Sequence, residues 1–482
     1  MVWSNTLSYL TTFNNIHHLD FLAGYEIDDT YNDYLSGEAY NFTTPDKHAI
    51  SNGMKTVSVG GSDSRYRLVS YLSRLNYDYK NKYYLGASFR VDGSSRLHRD
   101  NRWGTFWSVS GAWRTIEEEF MQPVKDWLTD LRIRASYGVN GTLPSDYFGY
   151  MGLSSISGGY LEQPGIQMSQ IANPNLKWET NYNMNIGLDF GFWDRLNFTI
   201  EYYTRTTKNL LMDCPVSMTT GFSSYLMNIG EVKNKGIELT INSTNIKIKD
   251  FSWNTTFNLG HNSNKVVKLD GEQTQIVSGT QIHKVGSSYR TFYVQEFAGI
   301  NPETGNPLFY TNELDENGNY IKEITENSKN AQFIPYKHAE PTVNGGISNS
   351  LRYKWLDLNF LFSYQFGGYS YDTWAQKTEH GGYDSYANIP TYYRDSWKKP
   401  GDQTNIEVYM LGKSSSVSMH KITSSRRIHS TDYFRLKNIT FGITLPKEWT
   451  NKINIGNVRF YASASNLWTW AAYDNYDPEA VS

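Results

Sequence analysis

The segment Tyr182–Thr206 decides the fold class of this chain: it reads YNMNIGLDFGF over 182–192, then WDR, then LNFTIEYYTRT over 196–206. Its first run has an apolar side chain at every second position, with asparagine, aspartate or glycine between (Tyr182, Met184, Ile186, Leu188, Phe190, Phe192). Side chains alternate between the two faces of a strand, so this pattern predicts a strand with one apolar and one polar face. The second run alternates in the same way, and the short polar turn between the runs predicts an antiparallel hairpin.

The same alternation recurs along the whole chain and predicts about fourteen strands. We place them at about Val2–Phe13, His17–Ile27, Tyr66–Tyr79, Tyr83–Asp92, Trp103–Arg114, Leu131–Asn140, Tyr182–Phe192, Leu196–Thr206, Gly236–Ser243, Phe251–Gly260, Val343–Tyr353, Trp355–Phe366, Tyr433–Leu445 and Val458–Leu467. The connections alternate between short turns and long polar loops, and residues 468–482 are expected to lack a partner strand. This rhythm is typical of outer-membrane barrels, which have tight turns at one end and large loops at the other.

The composition excludes several other classes of protein. No window approaches 18 or so consecutive apolar residues, so the chain has no candidate membrane-spanning helix. The net charge of −3 is too balanced to predict binding to nucleic acid or to an anionic surface. The single cysteine, Cys214, cannot form a disulfide within the chain and has no metal-binding spacing around it.

The alternation does not by itself say which face points outward. A soluble barrel with this many strands would enclose a lumen too wide for its own side chains to fill. The apolar sets also lack charge, as in Ile237, Leu239 and Ile241, and one Arg or Lys facing lipid would cost about 2–4 kcal/mol at mid-membrane. Tryptophans cluster at the ends of the runs, as in the interfacial girdles of membrane barrels. The sequence therefore predicts an all-β, antiparallel transmembrane β-barrel portion with an apolar outer face and a polar lumen.

Several motifs, in the same order, resemble the barrel of SusC/RagA-type TonB-dependent transporters. They are FRVDGSSR at 89–96, RWGTF at 102–106, LRIRASYG at 131–138, NPNLKWE at 173–179, NIGEVKNKGIE at 228–238, YFRLKN at 433–438 and NYDPE at 475–479. The resemblance implies a barrel of about 22 strands closed around an N-terminal plug. It also implies import of oligosaccharides or peptides, energised by TonB, under a surface lipoprotein of SusD type.

We therefore interpret residues 1–482 as a barrel segment in the outer membrane of a Gram-negative cell, in contact with its lipid. The plug, the segment that contacts the TonB complex and the closing strand are expected to lie outside this sequence. The sheet is then open because it is incomplete, and each open edge exposes unpaired backbone groups. We expect for this reason that the 482-residue chain alone does not form a stable membrane-inserted pore.

The sequence predicts binding rather than catalysis: it contains no catalytic constellation, and we expect no cofactor or metal. Asp315–Asn319 lacks the spacing of a calcium loop, and its Asn-Gly pair predicts a hairpin turn. Polar strand residues such as Arg132, Arg134 and Asp189 are candidates for lining a substrate path or forming a hydrogen-bonded wall. The candidate ligand-binding residues are the aromatics of the 367–431 loop, which suit sugar faces or peptide side chains but can also pack the loop or contact the lipoprotein: Tyr369, Tyr371, Trp374, Tyr383 and Tyr386.

Two other functions remain open from the sequence. The first is a passive porin-like barrel without TonB coupling, which a gene extending upstream into a plug would exclude. The second is a soluble all-β carbohydrate-binding protein, which would remain in solution without detergent.

Overall fold

A computed structural model of the chain describes residues 1–42, 44, 46, 49–160, 163–269, 274–383, 388–412, 418–419, 421–453 and 455–479. Fourteen antiparallel strands form one sheet in which every strand pairs with its neighbours in sequence order. We number them β1 to β14: Val2–Phe13, His17–Phe42, Gly53–Tyr79, Tyr83–Ser94, Trp103–Trp113, Leu128–Thr142, Glu179–Phe192, Leu196–Lys208, Glu231–Ile248, Phe251–Lys268, Val343–Tyr353, Leu356–Phe366, Tyr433–Thr444 and Arg459–Ala471. Among the described residues β1 and β14 each have a single partner, so the sheet is not closed, as predicted.

Two boundaries predicted from the sequence are wrong. Residues 28–63 were expected to form a loop, but β2 and β3 stay paired from Asp28 opposite Leu68 to Phe42 opposite Gly53. The apolar alternation does not predict this arm, because a two-stranded ribbon has no buried face that would require an apolar residue at every second position. Residues 468–471 also have a partner: Trp468 lies opposite Leu436 and Ala471 opposite Tyr433.

The tight turns lie at one end of the sheet, which we call the turn end. At three of them two consecutive residues have positive φ, as type I′ hairpin turns require: Asn14 and Asn15 (51° and 57°), Lys80 and Asn81 (56° and 52°), Trp193 and Asp194 (51° and 53°). Asn and Asp enter this left-handed region more readily than most other residues. The predicted short connections at these three places are confirmed.

The opposite end, which we call the loop end, has long connections with structure of their own. They contain the paired strands Leu153–Tyr160 with Gln163–Gln170, Leu211–Pro215 with Ser224–Asn228, and Tyr369–Tyr371 with Ile428–Ser430. They also contain a four-stranded sheet (Gln275–Ser278, Gln281–Lys284, Thr291–Gln295, Phe333–His338) and a three-stranded one (Phe297–Ile300, Pro307–Tyr310, Ile324–Thr325).

Helices are short throughout the described residues. The two α-helices are Thr373–Thr378 and Lys447–Thr450, and 3₁₀ turns occur at Ile50–Asn52, Thr115–Glu117, Glu119–Val124, Met218–Thr220, Ser328–Asn330, Thr391–Asp395, Ser425–Arg427 and Asn451–Ile453. None of these helices has the length and apolar character that a membrane crossing needs.

The chain divides into two compact units. The first contains 1–119, 132–186 and 205–231, and the second contains 120–131, 187–204 and 232–482. The core of the first is a cluster of Leu97, Phe106, Leu176 and Trp178. The rings of Phe106 and Trp178 meet edge to face at 5.2 Å, and the Trp178 indole donates a hydrogen bond to the carbonyl of Arg102 at 3.0 Å. A Cβ on Gly104 or Gly141 would lie within 2.5 Å of the Phe106 ring, so only glycine fits at these two positions.

The cores of the second unit lie in its loops. One contains Phe309, Ala331, Met419 and Ile422, and another contains Phe292, Val294 and Ile428. The loops at this end are therefore folded bodies with their own apolar interiors.

On β7 and β8 the two faces of the sheet are inverted relative to a soluble protein. Ile186 and Ile200 on the apolar face are 46% and 38% exposed, whereas Asn181 and Asp189 on the polar face are 0% and 6% exposed. A soluble sheet buries its apolar face and leaves the polar face in water. The exposure of Ile186 and Ile200 agrees with the predicted arrangement, in which the apolar face points away from the protein.

Candidate functional site

The polar face of the first unit borders a cavity of about 710 Å³ near the turn end, lined in part by Arg134, Asn185 and Asp20. The charge of Asp20 is partly balanced there: Asn76 and Arg74 donate hydrogen bonds to its Oδ2 at 3.2 and 3.4 Å. Arg134 thus lies on the wall of this cavity, whose lining combines polar groups with apolar side chains such as Leu10 and Leu19.

A buried network strengthens the polar face near the loop end. The Asn181 amide oxygen accepts hydrogen bonds from Arg205 at 2.9 and 3.1 Å and from Thr207 at 2.7 Å, and its nitrogen donates to Thr142 at 3.1 Å. Buried polar groups that are satisfied in this way rigidify a structure. These residues therefore act as wall rather than as ligand contacts.

Two of the predicted ligand-binding aromatics line one cavity at the loop end of the second unit. Tyr369 and Tyr371 lie on the strand Tyr369–Tyr371 and border a space of about 340 Å³ together with Arg290, Gln281 and Thr431. Behind this space both tyrosines pack against the core formed by Phe292, Val294 and Ile428. The cavity thus combines aromatic surface, one cation and neutral hydrogen-bonding groups.

The other predicted aromatics do not line this cavity. Trp374 is 73% exposed on the helix Thr373–Thr378, which Asp372 caps by accepting a hydrogen bond from the Ala375 amide at 2.7 Å. Tyr383 lies under the Lys421 ammonium, 5.0 Å from the ring centroid. Tyr386 lies outside the described residues.

The loop that carries these aromatics contains a buried ion pair that sequence reasoning missed. The Arg427 side chain is 1% exposed and pairs with Glu379, which also accepts a hydrogen bond from the Tyr392 hydroxyl. Burial alone would raise the pKa of Glu379, but Arg427, Tyr392 and Arg426 together outweigh it and lower the pKa. No sequence signal joins two residues that are 48 positions apart.

A second missed cluster joins two of the family-like motifs. The buried Arg435 of YFRLKN donates to Asp477 and to Glu479 of NYDPE, both at 2.6 Å, and Lys437 also pairs with Glu479. Further along, the ring of Tyr473 stacks on His429 at 3.8 Å between centroids. Residues 472–479 are therefore fixed to β13 and to the strand Ile428–Ser430; we call this segment the strap.

We expect Tyr473→Phe to loosen the strap by about 1–2 kcal/mol. The substitution removes the hydrogen bond that the Tyr473 hydroxyl donates to Asp372 at 2.6 Å and the one that it accepts from Asn475 at 2.6 Å, and it keeps the stacking on His429. Hydrogen exchange of the strap amides measures the change. Tyr353→Phe, at an exposed tyrosine next to a tight turn, is the matched control and should leave these amides unchanged. Equal exchange in wild type and Tyr473→Phe would contradict the role assigned to the Tyr473 hydroxyl.

The loop end is expected to lose stability as the pH falls below about 6.5. Burial lowers the pKa of His429, an effect that Asp372 partly opposes, and burial likewise lowers the pKa of His283. As the pH falls, these histidines take up a proton in the unfolded chain before they do so in the folded one. The loss of stability therefore begins near the histidine pKa of the unfolded chain and stops below the lowered pKa of the folded chain. Hydrogen exchange of Ile428–Ser430 between pH 8 and 5, corrected for intrinsic rates, measures it. His429→Phe should reduce this pH dependence, and an unchanged slope would contradict the assignment.

The fold and the site together define a class: a segment of an antiparallel β-barrel sheet with an exposed apolar face and long, folded loops. A model of the family described as "TonB dependent receptor-like, beta-barrel" matches residues 2–330, and the chain belongs to this family. Its members are receptors and transporters rather than enzymes, as the sequence predicted.

Individual relatives confirm the resemblance to SusC/RagA-type transporters. The chain is 32% identical to TonB-dependent receptor P3 of Formosa agariphila over 99% of its own length and 49% of that protein. It is 30% identical to TonB-dependent receptor SusC of Bacteroides thetaiotaomicron, over 94% of this chain and 45% of SusC. A structure of the RagAB peptide transporter superposes with a TM-score of 0.85 at 28% identity, covering 99% of this chain and 52% of that one. The chain thus spans about half the length of the relatives it matches.

Proposed function

We propose that this chain forms the wall and extracellular loops of an outer-membrane importer of oligosaccharides or peptides, energised through TonB in the full-length protein. The observation that carries this proposal is the inverted sheet, whose exposed apolar face is bounded by two rows of aromatic rings. Membership of the TonB-dependent receptor family supports the same function.

The aromatic rows lie on the apolar face of β1 to β5. Near the loop end Trp3, Tyr25, Tyr71 and Trp103 follow one another with centroid distances of 5.9, 5.1 and 6.3 Å. Near the turn end His17, Tyr79, Tyr83 and Trp113 do the same at 5.0, 6.3 and 6.4 Å. Such rings, apolar with one polar edge, suit the two interfaces of a bilayer.

The spacing of the rows fits a membrane. Strand β5 begins with Trp103 and ends with Trp113, a separation of about 33 Å along the strand, or about 25 Å at the strand tilt usual for barrels. The apolar band of membrane barrels is about 25 Å tall. On β5 the residues between the two tryptophans on this face are all uncharged (Thr105, Trp107, Val109, Gly111). These features favour lipid over the water that a soluble carbohydrate-binding protein would meet.

We further propose that substrate enters the cavity at Tyr369 and Tyr371. Its volume of about 340 Å³ suits one sugar ring or one peptide side chain at a time, with Arg290 and Gln281 as hydrogen-bond donors. Trp374, Tyr383 and Tyr386 belong to the same loop and are proposed as further contacts at its surface. The relative RagAB is described as a peptide transporter, which keeps peptides among the candidate substrates.

The proposed partners follow from the family. We propose that residues 1–482 are the barrel segment, and that a plug contributed by the rest of the protein communicates with the TonB complex. A SusD-like surface lipoprotein is proposed to cover the loop end, where the large folded loops lie. The matched share of the relatives, about half of each, leaves room for a plug domain of this kind.

The test is uptake by cells that carry the full-length gene, by cells in which the gene is deleted, and by cells that carry the full-length gene but lack TonB. The proposal expects import of oligosaccharides or peptides that stops in both mutants. Import that persists without TonB would favour the passive porin-like barrel. A full-length product that stays in solution without detergent would favour the soluble alternative.

We expect Tyr369→Ala/Tyr371→Ala to weaken substrate binding at least tenfold, since aromatic contacts with a ligand dominate such sites. The matched control is Tyr320→Ala, at an exposed tyrosine in the Leu314–Tyr320 turn, which should bind as wild type does. If the double variant and the control bind substrate with equal affinity, substrate does not bind in this cavity.

A further inference from the structure

Three arginines gather on the apolar side of the sheet just beyond the aromatic row at the loop end. Arg65, Arg67 and Arg102 line a cavity of about 470 Å³ together with Val69 and Trp103. Arg65 and Arg67 continue the series of Tyr71 and Val69 at every second position of β3, so they belong to the same face as the row. A Cβ on Gly93 would lie 2.7 Å from the Trp103 ring, so glycine at this position lets the indole lie against the strand beside the cavity.

The positive charge of this cavity is only partly compensated. Asp29 pairs with Arg65 at 2.5 Å and with Arg67 at 2.6 Å. No carboxylate lines the cavity itself, and the buried Nε of Arg102 has no hydrogen-bond partner among the described residues. Three guanidinium groups and one carboxylate leave two positive charges at an exposed site.

The position of the cluster matches the headgroup layer of a membrane. Arg67 lies four residues beyond Tyr71 toward the loop end, about 13 Å along the strand. A side chain there has left the apolar band and meets the polar layer of the outer leaflet. The cluster also lies on the face of the sheet opposite the polar wall, so it is not on the proposed substrate path.

We propose that Arg65, Arg67 and Arg102 bind the phosphate group of a phosphorylated glycolipid in the outer leaflet, an inference that rests on the proposed outer-membrane location. Guanidinium groups present paired donors that match phosphate oxygens, and such charge-assisted bonds are the stronger kind. Trp103 and Val69 supply apolar surface next to the cations, where the upper part of a lipid would lie. A free anion would contact only the arginines, whereas a lipid would contact the arginines and the apolar surface beside them.

The test uses the full-length protein in nanodiscs of phosphatidylcholine that contain a small fraction of glycolipid from its native membrane, either phosphorylated or enzymatically dephosphorylated. Native mass spectrometry reads the number of bound glycolipids and their affinity. Arg67→Gln/Arg102→Gln is expected to lower the affinity for the phosphorylated form about tenfold or more, with no change for the dephosphorylated form. Arg99→Gln removes the same charge from the same connection, at a side chain that is 81% exposed, and should bind as wild type does.

A second variant shifts the affinity in the opposite direction. Asp29→Asn removes the carboxylate that occupies Arg65 and Arg67 and should tighten binding of the phosphorylated form several-fold. Unchanged affinity in both the Gln variant and the Asn variant would overturn the proposal. Inorganic phosphate that binds as tightly as the glycolipid would overturn the lipid assignment and leave a free-anion site.

These measurements reject the lipid site and the transport proposal independently of each other. A protein that binds the phosphorylated glycolipid at these arginines and imports nothing removes only the transport proposal. A protein that imports its substrate and shows no phosphate-dependent lipid binding removes only the lipid site.

Discussion

Val109→Arg is expected to destabilise the membrane-inserted protein by about 2–4 kcal/mol, because it places a cation on the apolar face near mid-membrane. Val109 lies on β5 between Trp103 and Trp113, and its side chain is exposed on the same face as the two aromatic rows. Urea titration of the full-length protein in lipid vesicles measures the change in the free energy of unfolding.

The neighbouring residue gives a matched control. Ser110 lies on the opposite face of the same strand and borders the cavity of about 710 Å³. Asp20, Asn76 and Asn185 also line this cavity, so Ser110→Arg has room and polar groups on the same wall for its charge. We expect Ser110→Arg to change stability by less than about 1 kcal/mol. If Ser110→Arg costs as much as Val109→Arg, the two faces do not meet different solvents and the transport proposal loses its physical basis.

Glu379→Ala is expected to destabilise the 367–431 loop by about 3–5 kcal/mol, because it leaves the buried guanidinium of Arg427 without its counter-ion. Arg426, whose Nε lies 3.6 Å from Glu379, adds a second positive charge to the uncompensated site. Hydrogen exchange of the Asp372 and Glu379 amides reports the loss, since these groups donate to the carbonyls of Arg427 and Ala375.

Two further variants separate charge burial from simple loss of contacts. Glu316→Ala removes an exposed glutamate from another loop and should shift stability by less than about 0.5 kcal/mol. Glu379→Gln/Arg427→Met removes both charges and should cost less than Glu379→Ala alone. A double variant that costs as much as the sum of its single changes would show that the two side chains are not coupled.

The Glu379–Arg427 ion pair makes the stability of the loop depend on pH. Because the pKa of Glu379 is lowered in the folded protein, its contribution is present above about pH 4.5 and is lost as the pH falls through the lowered value. His429 and His283 act at higher pH, since they must lose their proton to remain buried. The folded loops are thus expected to be most stable at neutral pH.

Long-range contacts, rather than local pattern, account for what the sequence missed at the site. The sequence identifies Tyr369 and Tyr371 only as aromatics of one long loop, and the pairing of Tyr369–Tyr371 with Ile428–Ser430 brings them to one cavity. Trp374 and Tyr383 were equally plausible by residue type and lie elsewhere. The attachment of NYDPE to Arg435 is likewise invisible from either motif alone.

Local sequence pattern was sufficient to predict the number of strands in the sheet, their order, the tight turns and the apolar face. These properties are local: a period of two follows from the geometry of a strand, and a turn of two or three residues forces its flanking runs to pair. Four features became visible only in the folded chain: the arm formed by residues 28–42 and 53–68, the partner of residues 468–471, the Glu379–Arg427 pair and the arginine cluster beside Trp103. Each of these depends on residues far apart in the chain, whose proximity is set by strand register and loop packing rather than by any neighbouring residue.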